Sequence, residues 1–299
     1  MAETLLRIDG QWVAVGDAAP VEDPGTPPAG SPVPKPTGAS TGPRTTITGS
    51  TLSSSAAKSL AASNGGIVQG RAIANLVLNS PADATLKFID CDITGFWFGV
   101  EAWNGFGTPP SNPLARATFE HCIIHDCPGN SGIAGRNVAV RWCEFTRNGD
   151  DLKPASNVEV YASLLHDLWA EGADPHGDNI QCFGGDDILF HWNTIDGRNS
   201  PDAPTQPGGV ASSALQMSWG GDATNVRFLD NWVNGGAYTL RGADSWGGRV
   251  AQLTFRRNKH GRDYGFGPIT GMGSYNGGLA VSDYDSSNVW EDTGLPVLG

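Results

Sequence analysis

Charge is scarce in this sequence. Only 17% of the side chains are Asp, Glu, Lys or Arg, and the 19 basic residues form no cluster. A surface that binds nucleic acid or an anionic membrane needs such a cluster to displace counterions, so neither partner is expected. The balance of 19 − 31 = −12 points the same way. No apolar run approaches the roughly 20 residues that span a bilayer, so membrane insertion is not expected. The Met1-Ala2-Glu3-Thr4 start has neither the basic region nor the apolar core of a signal peptide, which predicts a protein made in a cytoplasm and not exported by that route. The five cysteines, at 91, 122, 127, 143 and 182, contain no CxxC pair, which argues against zinc, and their odd number argues against a disulfide framework. Few Lys, Glu and Arg also argue against helices, whose solvated faces carry them.

Turn formers are plentiful instead. Gly and Pro together make 41 + 20 = 61 residues, about one position in five, which suits strands joined by turns and predicts an all-β protein. Three segments follow. In residues 1–19, the runs Leu5-Leu6-Arg7-Ile8 and Gln11-Trp12-Val13-Ala14-Val15 flank Asp9-Gly10, a hairpin signal. Residues 20–43 hold eight prolines and four glycines with hardly any apolar side chains, and read as a semi-extended linker. Residues 44–299 carry an internal repeat.

The repeat is a column of small or polar residues: Ser50, Cys91, Cys122, Cys143, Ser163, Asn193, Asn231 and Asn258. Apolar residues recur five and three positions before each member and two after it, as in Leu86, Phe88 and Ile93 around Cys91. Of these 24 positions 22 are apolar, the exceptions being Thr45 and His260, where a 39% hydrophobic composition would give about nine, so the pattern exceeds chance even with frames chosen by eye. The spacings are 41, 31, 21, 20, 30, 38 and 27, which describes coils of about 20 residues with insertions; the first gap leaves room for a further coil around Ile73 to Leu78. A second strand follows each frame, centred on Val100, Ile133, Leu152, Ile180, Leu215, Leu240 and Ile269, with its centre inward and its neighbours toward solvent. Short strands at a coil period predict a solenoid of β-coils stacked at ~4.8 Å. The cysteines of the column are read as small buried hydrophobes, and its asparagines as an amide ladder running along the stack.

Residues 45–299 resemble the right-handed parallel β-helix proteins of the pectate-lyase-like superfamily, down to phrases such as His176-Gly177-Asp178-Asn179-Ile180-Gln181 and Asn288-Val289-Trp290-Glu291-Asp292-Thr293-Gly294. The phrase Leu6-Arg7-Ile8-Asp9-Gly10-Gln11-Trp12-Val13-Ala14-Val15 is similar to segments of minor tail proteins from phages infecting actinobacteria. Anchor, linker and solenoid together resemble a tailspike. That resemblance implies a single-stranded right-handed β-helix in a virion tail tip, a homotrimer joined to other tail proteins, and a host surface polysaccharide as partner.

Outward positions of the second strands would line one face with polar groups at a spacing near half a hexose. Glu101, Asn179, Gln181, Gln216 and Arg241, with Trp103 and Trp219 from flanking insertions, are the candidate glycan-binding residues. The candidate catalytic group is Asp150, Asp151 and Lys153 on one rung beside His176 and Asp178 on the next, with Asp150 and Asp178 in one column. Two carboxylates roughly 5 to 9 Å apart serve as general acid and as nucleophile or base in glycosidases. Gly-Asp-Asp phrases also form solenoid turns, and at this stage both readings stand. The leading expectation is a tail protein that binds a glycan; the alternative is a depolymerase, either a glycoside hydrolase or a lyase. No cofactor is expected for binding or hydrolysis, and the family resemblance adds calcium only for a lyase.

Overall fold

The computed structural model describes residues 5–8, 11–14, 33–78, 85–97, 116–169, 177–182, 184–204, 211–217, 223–241, 253–270 and 283–298. The chain divides into two units, Met1–Pro34 and Lys35–Gly299. In the first, Leu5–Ile8 pairs antiparallel with Gln11–Ala14, Ile8 opposite Gln11, as the Asp9-Gly10 signal predicts. Among the described residues the second is all-β apart from one helix, and its sheets are built of parallel strands. It begins at Lys35 rather than at residue 44. Residues 35–43 are therefore not linker, because their backbone finds partners on the sheets: Gly42 N–H donates to Trp142 O, and Pro36 O accepts from Thr194 Oγ1.

The strands form two sheets. The first has nine, in the order Ile67–Gln69, Leu86–Ile89, Ala117–Glu120, Val138–Arg141, Val158–Tyr161, Gly185–His191, Ala223–Leu229, Leu253–Arg256 and Asp283–Tyr284. The second starts Leu52–Ser53, Ala72–Val77, Asp92–Trp97, Ile123–Gly135, Glu144–Pro154 and then divides, because the long strand Glu144–Pro154 pairs with Leu164–His166 through its first half and with Asp178–Cys182 through its second. One arm continues Thr194–Gly197, Trp232–Gly235, Lys259–His260, Val289–Trp290; the other continues Ser213–Met217, Tyr238–Arg241, Gly267–Thr270. Each pass of the chain thus visits the first sheet, the first arm and the second arm in turn. The strand Ala72–Val77 fills the long first gap of the repeat.

Register is held by side chains that repeat. Phe88 lies beside Phe119, then Val140, Val160, Phe190, Phe228 and Phe255 follow in the first sheet, each fully buried. Slipping a strand by one residue would turn this row outward, so burial enforces the pairing. The turn from the first sheet into the second is made at Asp90, His121, Trp142, Ala162, Trp192, Asp230 and Arg257, all left-handed with φ between 47 and 60°. An L-residue there costs roughly 1 to 2 kcal/mol. The ladder offsets that cost by continuing through the corner, for each of the first six donates its N–H to the carbonyl of the neighbouring rung, as Asp90 does to Glu120.

Seven of the eight column residues, Cys91 to Asn258, follow these corners and are buried; Ser50 is exposed, which corrects its place in the column. Asn193, Asn231, Asn258 and Asn288 form the expected amide ladder: Asn231 Nδ2 donates to Asn258 Oδ1 at 3.1 Å and to Phe190 O at 3.0 Å, and Asn231 Oδ1 accepts from Asn193 N–H at 2.9 Å. All five cysteines are free and buried.

The helix, Ser54–Ser63, departs from the expectation of strands alone. Its alanines explain it. Ala57 and Ala61, four apart, are fully exposed to the core and closed to water, and Ser53 caps it by accepting from Ala56 N–H at 3.3 Å. The helix packs on the first strands of both sheets.

Candidate functional site

The second arm of the divided sheet carries the site. Leu152 is in register with Ile180, Asp178 with Ser213, and Gln181 with Gln216, Arg241 and Thr270. Its central apolar residues Ile133, Leu152, Ile180, Leu215 and Leu240 are buried in the core as expected, Ile269 is half-buried, and Val100 lies outside the described residues. Asp150 and Asp178 therefore stand side by side on adjacent rungs, one strand step or ~4.8 Å apart. The backbone N–H of Asp178 donates to Asp150 Oδ1 at 2.9 Å.

The two carboxylates have different surroundings. Asp150 Oδ2 is 2.7 Å from Lys153 Nζ, with both side chains only 10% exposed, and this contact together with the Asp178 N–H favours its ionised form. Asp178 is 2% exposed, accepts from Ser213 Oγ on one oxygen and from Gln181 Nε2 at 3.3 Å on the other. Desolvation and then the Asp150 charge push its pKa well above the carboxylate range, outweighing Ser213, Arg241 and Lys153, which pull it down.

Asp151 does not share that place. Asp150 touches Lys153 and Asp178 touches Gln181, whereas Asp151 turns to the interior corner, accepting from Asn148 Nδ2 at 3.0 Å and Asn179 Nδ2 at 2.7 Å. Asn148 also donates to Ile124 O, a carbonyl among core strands. Asp151 is fully buried, and desolvation, opposed by the two amides, pushes it up to about 7. Asn179 and Gln216 are likewise 0% exposed, which corrects the expectation that they face solvent. The pairing of Glu144–Pro154 with Ile123–Gly135 shifts register between Asn148 and Asp150. Of the expected glycan row, Gln181 is 9% exposed and Arg241 half-buried. Glu101, Trp103, Trp219 and His176 lie outside the described residues. Trp169 holds the Arg147 guanidinium 4.1 Å from its ring centre.

Two site residues escaped the sequence reading. Ser213 was legible as the position two before Leu215, aligned with Asp178; Asn148 was legible as the partner of Cys127 on a second corner. Asp186 and Asp187 open the strand Gly185–His191, where Asp187 is left-handed at φ 58° and its Oδ1 accepts from Asn225. Among the described residues no three His, Cys, Asp or Glu side chains stand together as a metal site. No protein-family model matches the chain, no curated protein matches its sequence, and no solved structure matches its fold.

Proposed function

We propose that residues 35–299 form a right-handed parallel β-helix in a phage tail protein, and that its second arm cleaves a linear glycan of the host surface. The repeated order of first sheet, first arm and second arm supports the β-helix reading, since a coil returning one rung higher on each pass produces that order. The observation that carries the activity is the Asp150–Asp178 pair, two in-register carboxylates whose surroundings push them toward opposite protonation states.

Glycoside hydrolysis needs that division. Asp178, neutral at pH 7, gives its proton to the glycosidic oxygen as the bond to the anomeric carbon breaks. Asp150, ionised beside Lys153, attacks that carbon or takes a proton from water. Ser213 and Gln181 orient Asp178, and Gln181, Arg241 and Thr270 offer hydrogen-bonding groups to neighbouring sugars. This chemistry calls for no metal; calcium belongs only to a lyase variant.

The test is incubation of the full chain with host cell-wall polysaccharide, reading new reducing ends and unsaturated-uronate absorbance. Product from the parent and loss by a factor of about 10² or more in Asp178→Asn and Asp150→Asn, with glycan still bound, is the expected result. Activity should fall as pH rises past about 8, where Asp178 gives up its proton. Glycan binding with no product at any pH would overturn cleavage in favour of an adhesin. Unsaturated product that depends on calcium would replace hydrolysis by elimination.

A further inference from the structure

The first arm of the divided sheet holds a second, separate polar pocket of about 190 Å³, floored by Trp232, Val233, Asn234 and Gly261 and walled by Lys35. We propose that it binds one neutral sugar unit, apart from the Asp150–Asp178 pair and whether or not that pair cleaves.

Its volume is that of a single pyranose rather than an oligosaccharide. Its charges are already paired: Lys35 with Glu291, Arg198 with Asp196 and Asp263, and Arg262 with Asp292 just outside the lining. Lys35 pairs with Glu291 at 2.7 Å, and Arg198 reaches both Asp196 and, at 3.5 Å, Asp263. An anion or cation would gain no net attraction there, whereas hydroxyls accept from guanidinium and donate to carboxylate at once, and such fixed pairs are already oriented for them.

The floor is built to leave the space. A Cβ on Gly261 would lie 2.1 Å from Asn234 Oδ1, so only glycine admits the Asn234 side chain in its place. That side chain is held at both ends, its Nδ2 donating to Asp263 Oδ2 at 3.0 Å and its Oδ1 accepting from Asp263 N–H at 3.1 Å. Asn234, Asp263 and Arg198 thus form one rigid rim.

Saturation-transfer NMR and calorimetry on the full chain, with glucose, galactose, mannose and N-acetylglucosamine against glucuronate and glucosamine as charged counterparts, would test this. Saturable binding of at least one neutral sugar is expected near the millimolar Kd of so small a ligand, with both charged counterparts weaker. Asp263→Ala, at an exposed position that leaves folding intact, and Gly261→Ala should each weaken binding tenfold or more, while Asp178→Asn leaves it unchanged. Preference for a charged sugar, no saturation by any neutral one, or binding lost in Asp178→Asn but kept in Asp263→Ala would overturn the proposal. Loss of polysaccharide cleavage alone would leave it standing.

Discussion

A carboxylic acid at position 151 sits where only amides meet it. Because its folded pKa of about 7 lies above the unfolded value near 3.8, the folded chain holds a proton that the unfolded chain releases, and stability falls as pH rises between the two. Asp151→Asn removes that loss. The variant should gain on the parent from pH 4 to 7 by up to about 4 kcal/mol and hold its advantage above, read as the difference in Tm across a pH series. An acceptor is ready for the new amide N–H, since Asn179 Oδ1 is buried without a partner and needs only amide rotation, while Asn148 keeps its bond to Ile124 O and donates to the new amide oxygen. His260 has the opposite sign. It stands at an apolar position of the repeat, fully buried, and desolvation holds it down to about 4 against an unfolded value of 6.5. Its contribution is present above pH 6.5 and is lost as pH falls toward 4. His260→Leu should therefore flatten the acid limb of the stability curve and raise Tm at pH 7, because the buried and unpartnered Nδ1 disappears.

Among the elements, the segment from 35 to 48 does most to tie distant rungs together. Lys35 pairs with Glu291 just past the last strand of the first arm, Pro36 meets Thr194, Gly42 meets Trp142, and Arg44 meets Asp90 before Thr48 N–H reaches Gly70 O. In a stack whose rungs otherwise touch only their neighbours, such an axial strap couples the ends. Asp90 is 1% exposed and takes both the Arg44 guanidinium and the Arg44 N–H, which holds its carboxyl below the usual range against desolvation. Arg44→Ala should lower stability by about 1 to 3 kcal/mol, discounted from a fully buried pair because Arg44 is 44% exposed. Hydrogen exchange should show the first rungs opening before the rest. Equal protection in parent and variant would sink the strap's role. In the helix, Ala61→Asp should unfold the same end, since it places a charge among core residues.

For the whole molecule, the division at Lys35 makes a direct statement: a chain starting there should fold with the Tm of the full protein, because the strap and both sheets lie within it. Circular dichroism and thermal melts of residues 35–299 would show it. Oligomerisation is a matter for solution. Homotrimerisation is proposed from tailspike resemblance, and cyclic symmetry would bring three N-terminal hairpins together. Light scattering on the full chain should return three times the 31.3 kDa of one copy; a monomer at every concentration would exclude it.

The repeat, the buried rows and the hairpin were legible because each depends on side-chain periodicity alone: apolar residues at a coil spacing admit one register, and column asparagines bond the copy above and below. Adjacency of Asp150 and Asp178 was legible for the same reason. Neither the helix at 54–63 nor the docking of residues 35–43 could be read from the coil repeat, since both stand outside its spacing and take their places from the surfaces they meet. What separates Asp150 from Asp151 was decided only in three dimensions. Asp150 meets Lys153 while Asp151 meets the amides of Asn148 and Asn179, and the last of these comes from the neighbouring rung, a contact that no local run of residues records.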